Sequence, residues 1–123
     1  METLIITSNC NEAIDFPGHI EIAPNLGKAS FREIKAKGSI IVGFGTDIEA
    51  GEGIKAGTDI KAGRGIEAGE GIKAGFDISV NLRIFAGLIS WRKPTEKELQ
   101  IQCRRLIRGE IAYGNLIESK KAL

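Results

Sequence analysis

The sequence predicts an all-β fold, a single-stranded parallel β-helix (β-solenoid) with about 18 residues per triangular coil and non-repeat caps at both ends. Three observations carry the prediction. Isoleucine recurs every six residues at Ile48, Ile54, Ile60, Ile66, Ile72, Ile78 and Ile84. Two places after each stands a small apolar residue, in turn Ala50, Ala56, Ala62, Ala68, Ala74, Val80 and Ala86. The next letter is Gly51, Gly57, Gly63, Gly69 and Gly75, then Asn81, then Gly87.

Apolar residues at i and i+2 with a charged residue between them give the alternation of a short strand, whereas a helix needs spacings of three and four. Glycine reaches positive φ without steric cost and asparagine tolerates it next best, so the following letter reads as a left-handed corner. Strands of three residues with a corner after each wind rather than fold back, and every coil then buries its Ile and Ala against its neighbours. Residues 46–63 match 64–81 at 12 of 18 positions, and 48–59 match 60–71 at 7 of 12. The longer period implies three faces per coil. It stacks Glu49 on Glu67 and Lys55 on Lys73 at about 4.8 Å, where a flattened 12-residue coil would pair Glu49 with Lys61. Exposed pairs contribute only a fraction of a kcal/mol, so core geometry decides for 18.

The elements follow in order. Residues 1–33 form an N-terminal cap in which "TLIIT" and "HIEIA" alternate as strands and "DFPG" turns. The repeat occupies residues 34–87, starting from Ile34-Lys-Ala36 and Ile40-Ile-Val42-Gly43. Two extra residues within "FGTD" bulge at a corner ahead of Ile48 and leave the core register intact. Residues 88–123 form a C-terminal cap: "LISW" stops at Trp91, "RKPTEKE" is a charged loop, and "LQIQC" alternates as a strand. Pro94-Thr95-Glu96 would also start a short helix over 95–107; strand is the preferred reading. "IAYGNLI" repeats the phrase with Tyr113 in the alanine place and suggests one more coil. Caps are expected because an open sheet edge is a template for unwanted pairing.

The totals bound the rest. A chain of 123 residues with 42% hydrophobic and 27% charged residues and net charge +1 reads as one folded domain with no globally cationic surface. Cys10 and Cys103 are too few for a zinc cage and read as reduced thiols of a cytoplasmic protein, one disulfide between the chain ends being the alternative. The opening residues lack the pattern of a signal peptide, and no apolar run reaches the roughly 20 residues of a membrane span. The expected location is the cytoplasm.

The repeat offers a regular outward surface of Glu and Lys, read as a solvated face. Its Gly-x-Gly triplets precede no helix and so do not read as phosphate loops. Asp47, Asp59 and Asp77 read as corner residues bonding their own backbone and not as calcium ligands. The expectation is therefore no metal, no cofactor and no enzymatic activity. Attention falls on the breaks in the phrase. Phe76 takes a turn position and Phe85 an outward strand position, either covered by residues 88–123 or forming a partner-binding patch with Arg83, Trp91 and Arg92. Arg104, Arg105 and Arg108 add a basic cluster, for residues 83–123 hold nine Lys or Arg against four Glu. That end reads either as a solvated cap or as a contact for an acidic protein face or a nucleic acid.

With these residues in view, the chain resembles the hexapeptide-repeat parallel β-helix proteins. In the left-handed acyltransferases of that class the sizes of the two core letters are exchanged relative to Ile-x-Ala-Gly, and a catalytic histidine projects from a coil. The only histidine here, His19, lies outside the repeat, so an acyltransferase-like enzyme is the last of the alternatives. Bactofilins, cytoskeletal polymers with a triangular β-helix, are similar through their short Gly- and Ile-rich phrases, and that resemblance implies a self-associating structural or virion accessory protein. "LRIFAGLISWRKP" and "IAYGNL" with the Ile-Lys-Ala-Gly phrases resemble a group of small phage and prophage proteins. This implies a binding protein in the host cytoplasm, such as an inhibitor of a CRISPR effector or another defence protein. The expected partner is another protein, with self-association and nucleic acid as alternatives.

Overall fold

Where Ile and Ala flank one charged residue, three residues of strand suffice to aim both apolar side chains the same way. The computed structural model describes residues 2–8, 11–89 and 91–119, and over these the strands stack as a parallel β-solenoid of about six turns, roughly 19 residues apart. The first face holds β1 (Thr3–Ile6), β3 (His19–Ile22), β6 (Ile40–Val42) and β9 (Ile60–Ala62). The second holds β4 (Gly27–Phe31), β7 (Thr46–Ala50) and β10 (Ile66–Ala68). The third holds β2 (Ala13–Phe16), β5 (Glu33–Ala36), β8 (Ile54–Ala56), β11 (Ile72–Ala74), β13 (Gln100–Cys103) and β15 (Asn115–Glu118). Two long strands, β12 (Asp77–Ala86) and β14 (Arg105–Tyr113), run from the first face onto the second and join those faces into one sheet.

All pairing is parallel, and it is in register everywhere except between β12 and β14. Ile54 aligns with Ile72, 18 residues on, while Ile34 aligns with Ile54, 20 residues on. The two additional residues enter at the "FGTD" corner, and Ile48 still aligns with Ile66. There Thr46 is fully buried, its hydroxyl donating to the Ala23 carbonyl (2.8 Å) and accepting from the Leu26 N–H (3.0 Å). The core is a set of columns. Ile20, Ile40, Ile60 and Ile78 line the first face, Ile48, Ile66 and Ile84 the second, and Ile34, Ile54, Ile72 and Ile101 the third, all buried. The solenoid also extends beyond the repeat. β1 to β4 stack in register beneath it, β13 completes the coil of β12, and β14 and β15 form a last coil above it. Strand, not helix, is what residues 100–103 form.

The corner glycines work differently from the sequence expectation. Gly51, Gly57, Gly63, Gly69 and Gly75 do not have positive φ, and neither does Asn81; of the seven corner letters only Gly87 does (φ +83°). At Gly57, Gly63, Gly69 and Gly75 what demands glycine is close approach. A Cβ at Gly57 would lie 2.0 Å from the Lys37 carbonyl oxygen, at Gly69 2.1 Å from that of Gly51, and at Gly75 2.0 Å from that of Gly57. The corner aspartates also differ from expectation. They bond the next coil and not their own turn: Asp47 Oδ1 accepts from the Gly65 N–H (2.7 Å) and Asp59 Oδ1 from the Asp77 N–H (3.0 Å). His19 has a similar structural role, its Nδ1 accepting from the Ser39 N–H at 2.9 Å.

Candidate partner-binding surface

Asn81 stands where every earlier coil of the repeat has glycine, and its Cβ cannot occupy a space closed by the carbonyl below. The corner therefore opens. β12 continues through it as an unbroken strand, and the Asn81 side-chain amide donates to the Gly63 carbonyl at 3.0 Å. The coil above takes a shorter path: Ser79 aligns with Arg108 and Arg83 with Glu110, so four residues of β12 are spanned by two of β14. Gly109 makes this shortcut (φ +130°), and a Cβ there would lie 3.0 Å from Ile84 Cδ1. The mismatch leaves a recess of about 680 Å³ on the second face, lined by Asp47, Glu67, Asn81, Leu82, Arg83, Phe85 and Glu110 among others.

Leu82 is exposed, and Arg83 has no carboxylate within ion-pair distance among the described residues. Phe85 is half-buried, aligned with Glu67 below and Tyr113 above. The floor carries stacked carboxylates. Glu49 aligns with Glu67, as an 18-residue coil requires. Lys28 Nζ, 2.8 Å from Glu49, holds the Glu49 carboxyl below its usual range, and Glu49 in turn raises the Lys28 ammonium. Burial first, and then the neighbouring Glu49, push the Glu67 carboxyl up. Asp47 is 3.6 Å from Arg64. The recess thus combines an apolar lip, an aromatic wall, one uncommitted guanidinium and an acidic floor.

The residues singled out from sequence divide into separate groups. Arg83 and Phe85 share the recess, and Arg108 precedes its Gly109 edge. Phe76 lies at the opposite corner, half-buried under the Arg104 guanidinium, 5.0 Å from the ring centroid, and Arg104 is also 3.3 Å from Asp77. Arg104 is therefore engaged in covering Phe76. Arg105 aligns with Asp77 at the start of β14 and, like Arg108, makes no ion pair among the described residues. Trp91 and Arg92 belong to the loop after β12. Arg92 is consumed there by a two-pronged contact with Glu98 (2.6 and 2.8 Å), and the Glu98 carboxylate also accepts from the Thr95 N–H. Trp91 is 75% exposed. Covering by residues 88–123 thus holds in part, for Phe76 and Phe85 alike. Leu82 and Glu67 join the recess without having been singled out from sequence as its members. The signal for Leu82 was present, an apolar residue one coil above Arg64.

Cys103 is a buried thiol, pushed up to about 11 chiefly by burial; Cys10, Lys120 and Lys121 lie outside the described residues. Among the described residues no group of three or more His, Cys, Asp or Glu is placed to hold a metal ion, and no helix is long and apolar enough to cross a membrane. Comparison of the chain with protein-family models, with curated proteins and with solved structures gives no match.

Proposed function

We propose that this chain is a non-enzymatic binding protein whose second face, around the Asn81 corner, docks a macromolecular partner. One observation carries the reading: from Ile48 the solenoid is regular until Asn81 opens a corner, and that corner gathers Leu82, Arg83 and Phe85 around a recess. Exposed aromatics with an adjacent arginine are the residue types that anchor interfaces, and a concave site lets them be desolvated. On the regular coils below, the outward strand residues are Glu49, Lys55, Lys61 and Lys73, which solvate a face without distinguishing one partner from another. A protein partner fits this surface better than a nucleic acid, because the recess floor is acidic and phosphates would be repelled. The resemblance to small phage and prophage proteins supports a host protein as the target, such as a CRISPR effector or another defence component met in the host cytoplasm.

The test is affinity capture from host lysate with the full chain as bait, followed by quantitative binding to the captured protein. Truncating Phe85 or Arg83 to alanine is expected to weaken binding at least tenfold with the circular dichroism spectrum unchanged. Alanine at Lys55 and Lys73, on the third face, should leave binding within twofold. Equal affinity for all four variants would sink this choice of surface. Capture dominated by nucleic acid would redirect it to Arg105 and Arg108.

A further inference from the structure

We infer that the third face binds a short linear phosphate chain, either inorganic triphosphate or the triphosphate tail of a nucleotide, along a column of lysines. The in-register stacking of β5, β8 and β11 sets Lys35, Lys55 and Lys73 one above another, at about 4.8 Å per coil. Each is the outward residue between a buried Ile and a buried Ala. They border a groove of about 370 Å³ that Lys37 also lines, with Asp15 at its lower end. The groove lies on a different face from the Asn81 recess, so it stands apart from the docking surface proposed above.

The charge of this column is left uncompensated within the molecule. On the second face, the stacked Glu49 and Glu67 are relieved by Lys28, whose Nζ is 2.8 Å from Glu49. On the third face Lys35 is 3.5 Å from Glu33. Lys37, Lys55 and Lys73 are exposed and have no carboxylate within ion-pair distance among the described residues. Like charges directly opposite across a sheet repel. Phosphate oxygens laid along the column replace that repulsion with a charge-assisted contact at each ammonium in turn.

Shape narrows the ligand further. The floor of the groove is Ala36, Ala56, Gly57 and Gly75, and a Cβ at either glycine would lie 2.0 Å from a carbonyl oxygen of the coil below. The floor is therefore kept bare, and a narrow chain can lie close to the backbone beside the lysines. No aromatic ring lines the groove, so it offers nothing for a base to stack on and suits phosphate alone better than single-stranded nucleic acid. The column is also short. Gln102, its amide donating to Gln100 at 2.6 Å, stands above Lys73, and Asp15 stands below Lys35. Three lysines across two coil spacings cover about 10 Å, which fits a short chain and not a long polymer.

Isothermal titration calorimetry of the full chain with sodium triphosphate, without divalent cations and at low ionic strength because salt screens exposed charges, should show one saturable site. Orthophosphate, which cannot extend along the column, should bind at least tenfold more weakly. Lys55→Gln and Lys73→Gln should each weaken triphosphate binding at least fivefold with the circular dichroism spectrum unchanged. Lys61→Gln removes the same charge from the first face and should stay within twofold. ATP separates the two sources: affinity within threefold of triphosphate assigns the shared tail, and weaker binding assigns the inorganic chain. The alanine variants of Lys55 and Lys73 should keep the partner of the recess while losing triphosphate, so failure of either surface is distinguishable from failure of the other. Absence of saturable triphosphate binding, orthophosphate binding as tight as triphosphate, or equal losses in Lys55→Gln and Lys61→Gln overturns the assignment. ATP bound at least tenfold more tightly than triphosphate overturns it as well, because the base would then be what is recognised.

Discussion

Replacing Gly75 by alanine tests whether close approach, and not backbone handedness, is what the corner letter serves. The added Cβ would sit 2.0 Å from the Gly57 carbonyl oxygen, so the two coils must part by about 1 Å to reach even the tightest contact that real Cβ atoms show, near 3 Å. That movement takes the Gly75 N–H from the Ala56 carbonyl and the Phe76 N–H from the Thr58 carbonyl, both 3.0 Å in the native corner. Two weakened backbone bonds at about 0.5–1.5 kcal/mol each, together with local overpacking, give a loss of about 2–4 kcal/mol. At roughly 4 °C per kcal/mol for a chain of this size, Tm should fall by about 8–16 °C. Gly51 is the control. The nearest atom to its Cβ position is the Arg32 carbonyl oxygen at 3.8 Å and its φ is not positive, so Gly51→Ala should be neutral or stabilise by up to about 1 kcal/mol through the unfolded chain. Urea unfolding followed by far-ultraviolet circular dichroism measures both. If the two variants lose stability equally, the corners need glycine for its backbone freedom and the close-approach argument is wrong.

Two further outcomes are expected. Ile66→Ala, which truncates a fully buried side chain between Ile48 and Ile84, should cost about 2–5 kcal/mol. Ile41→Ala on the outward side of the first face should cost less than about 0.5 kcal/mol; equal losses in urea unfolding would contradict the column assignment. Glu98 should titrate at about 2, because the Arg92 contact first, and then the Thr95 backbone N–H, favour its ionised form. A carboxyl lowered on folding stabilises the native loop above its unfolded value of about 4.3, and that contribution is lost as pH falls toward the folded value. Carboxyl-carbon NMR titration should show the midpoint of Glu98 rising toward the ordinary range in Arg92→Ala, and a wild-type midpoint already in that range would refute the loop clamp.

The candidate site was legible only as a place. Asn81 for glycine, Phe85 facing out and the departures from the phrase between Val80 and Trp91 pointed to the right turn of the coil. Their grouping was not legible. Arg92 and Arg104 carry the same charge and sit in the same basic segment as Arg83, yet each is occupied within the molecule, one by Glu98 and the other by Phe76 and Asp77. Which arginine remains free depends on contacts across 6 and 27 residues of chain, and no local pattern records those.

The sequence by itself determined the architecture, because an Ile-x-Ala-Gly phrase at a fixed spacing admits one way of burying its apolar letters: short parallel strands wound so that like stacks on like. Even the unfavourable stacking of Glu49 on Glu67 followed from the period, since a core column outweighs an exposed charge pair. Only the tertiary structure decided why the corner letter is glycine and what happens where it is not. The answer lies in a carbonyl one coil away, 2.0 Å from an atom that glycine lacks. Where Asn81 supplies that atom the corner opens, the next coil takes a shorter path over it, and the solenoid acquires its recess.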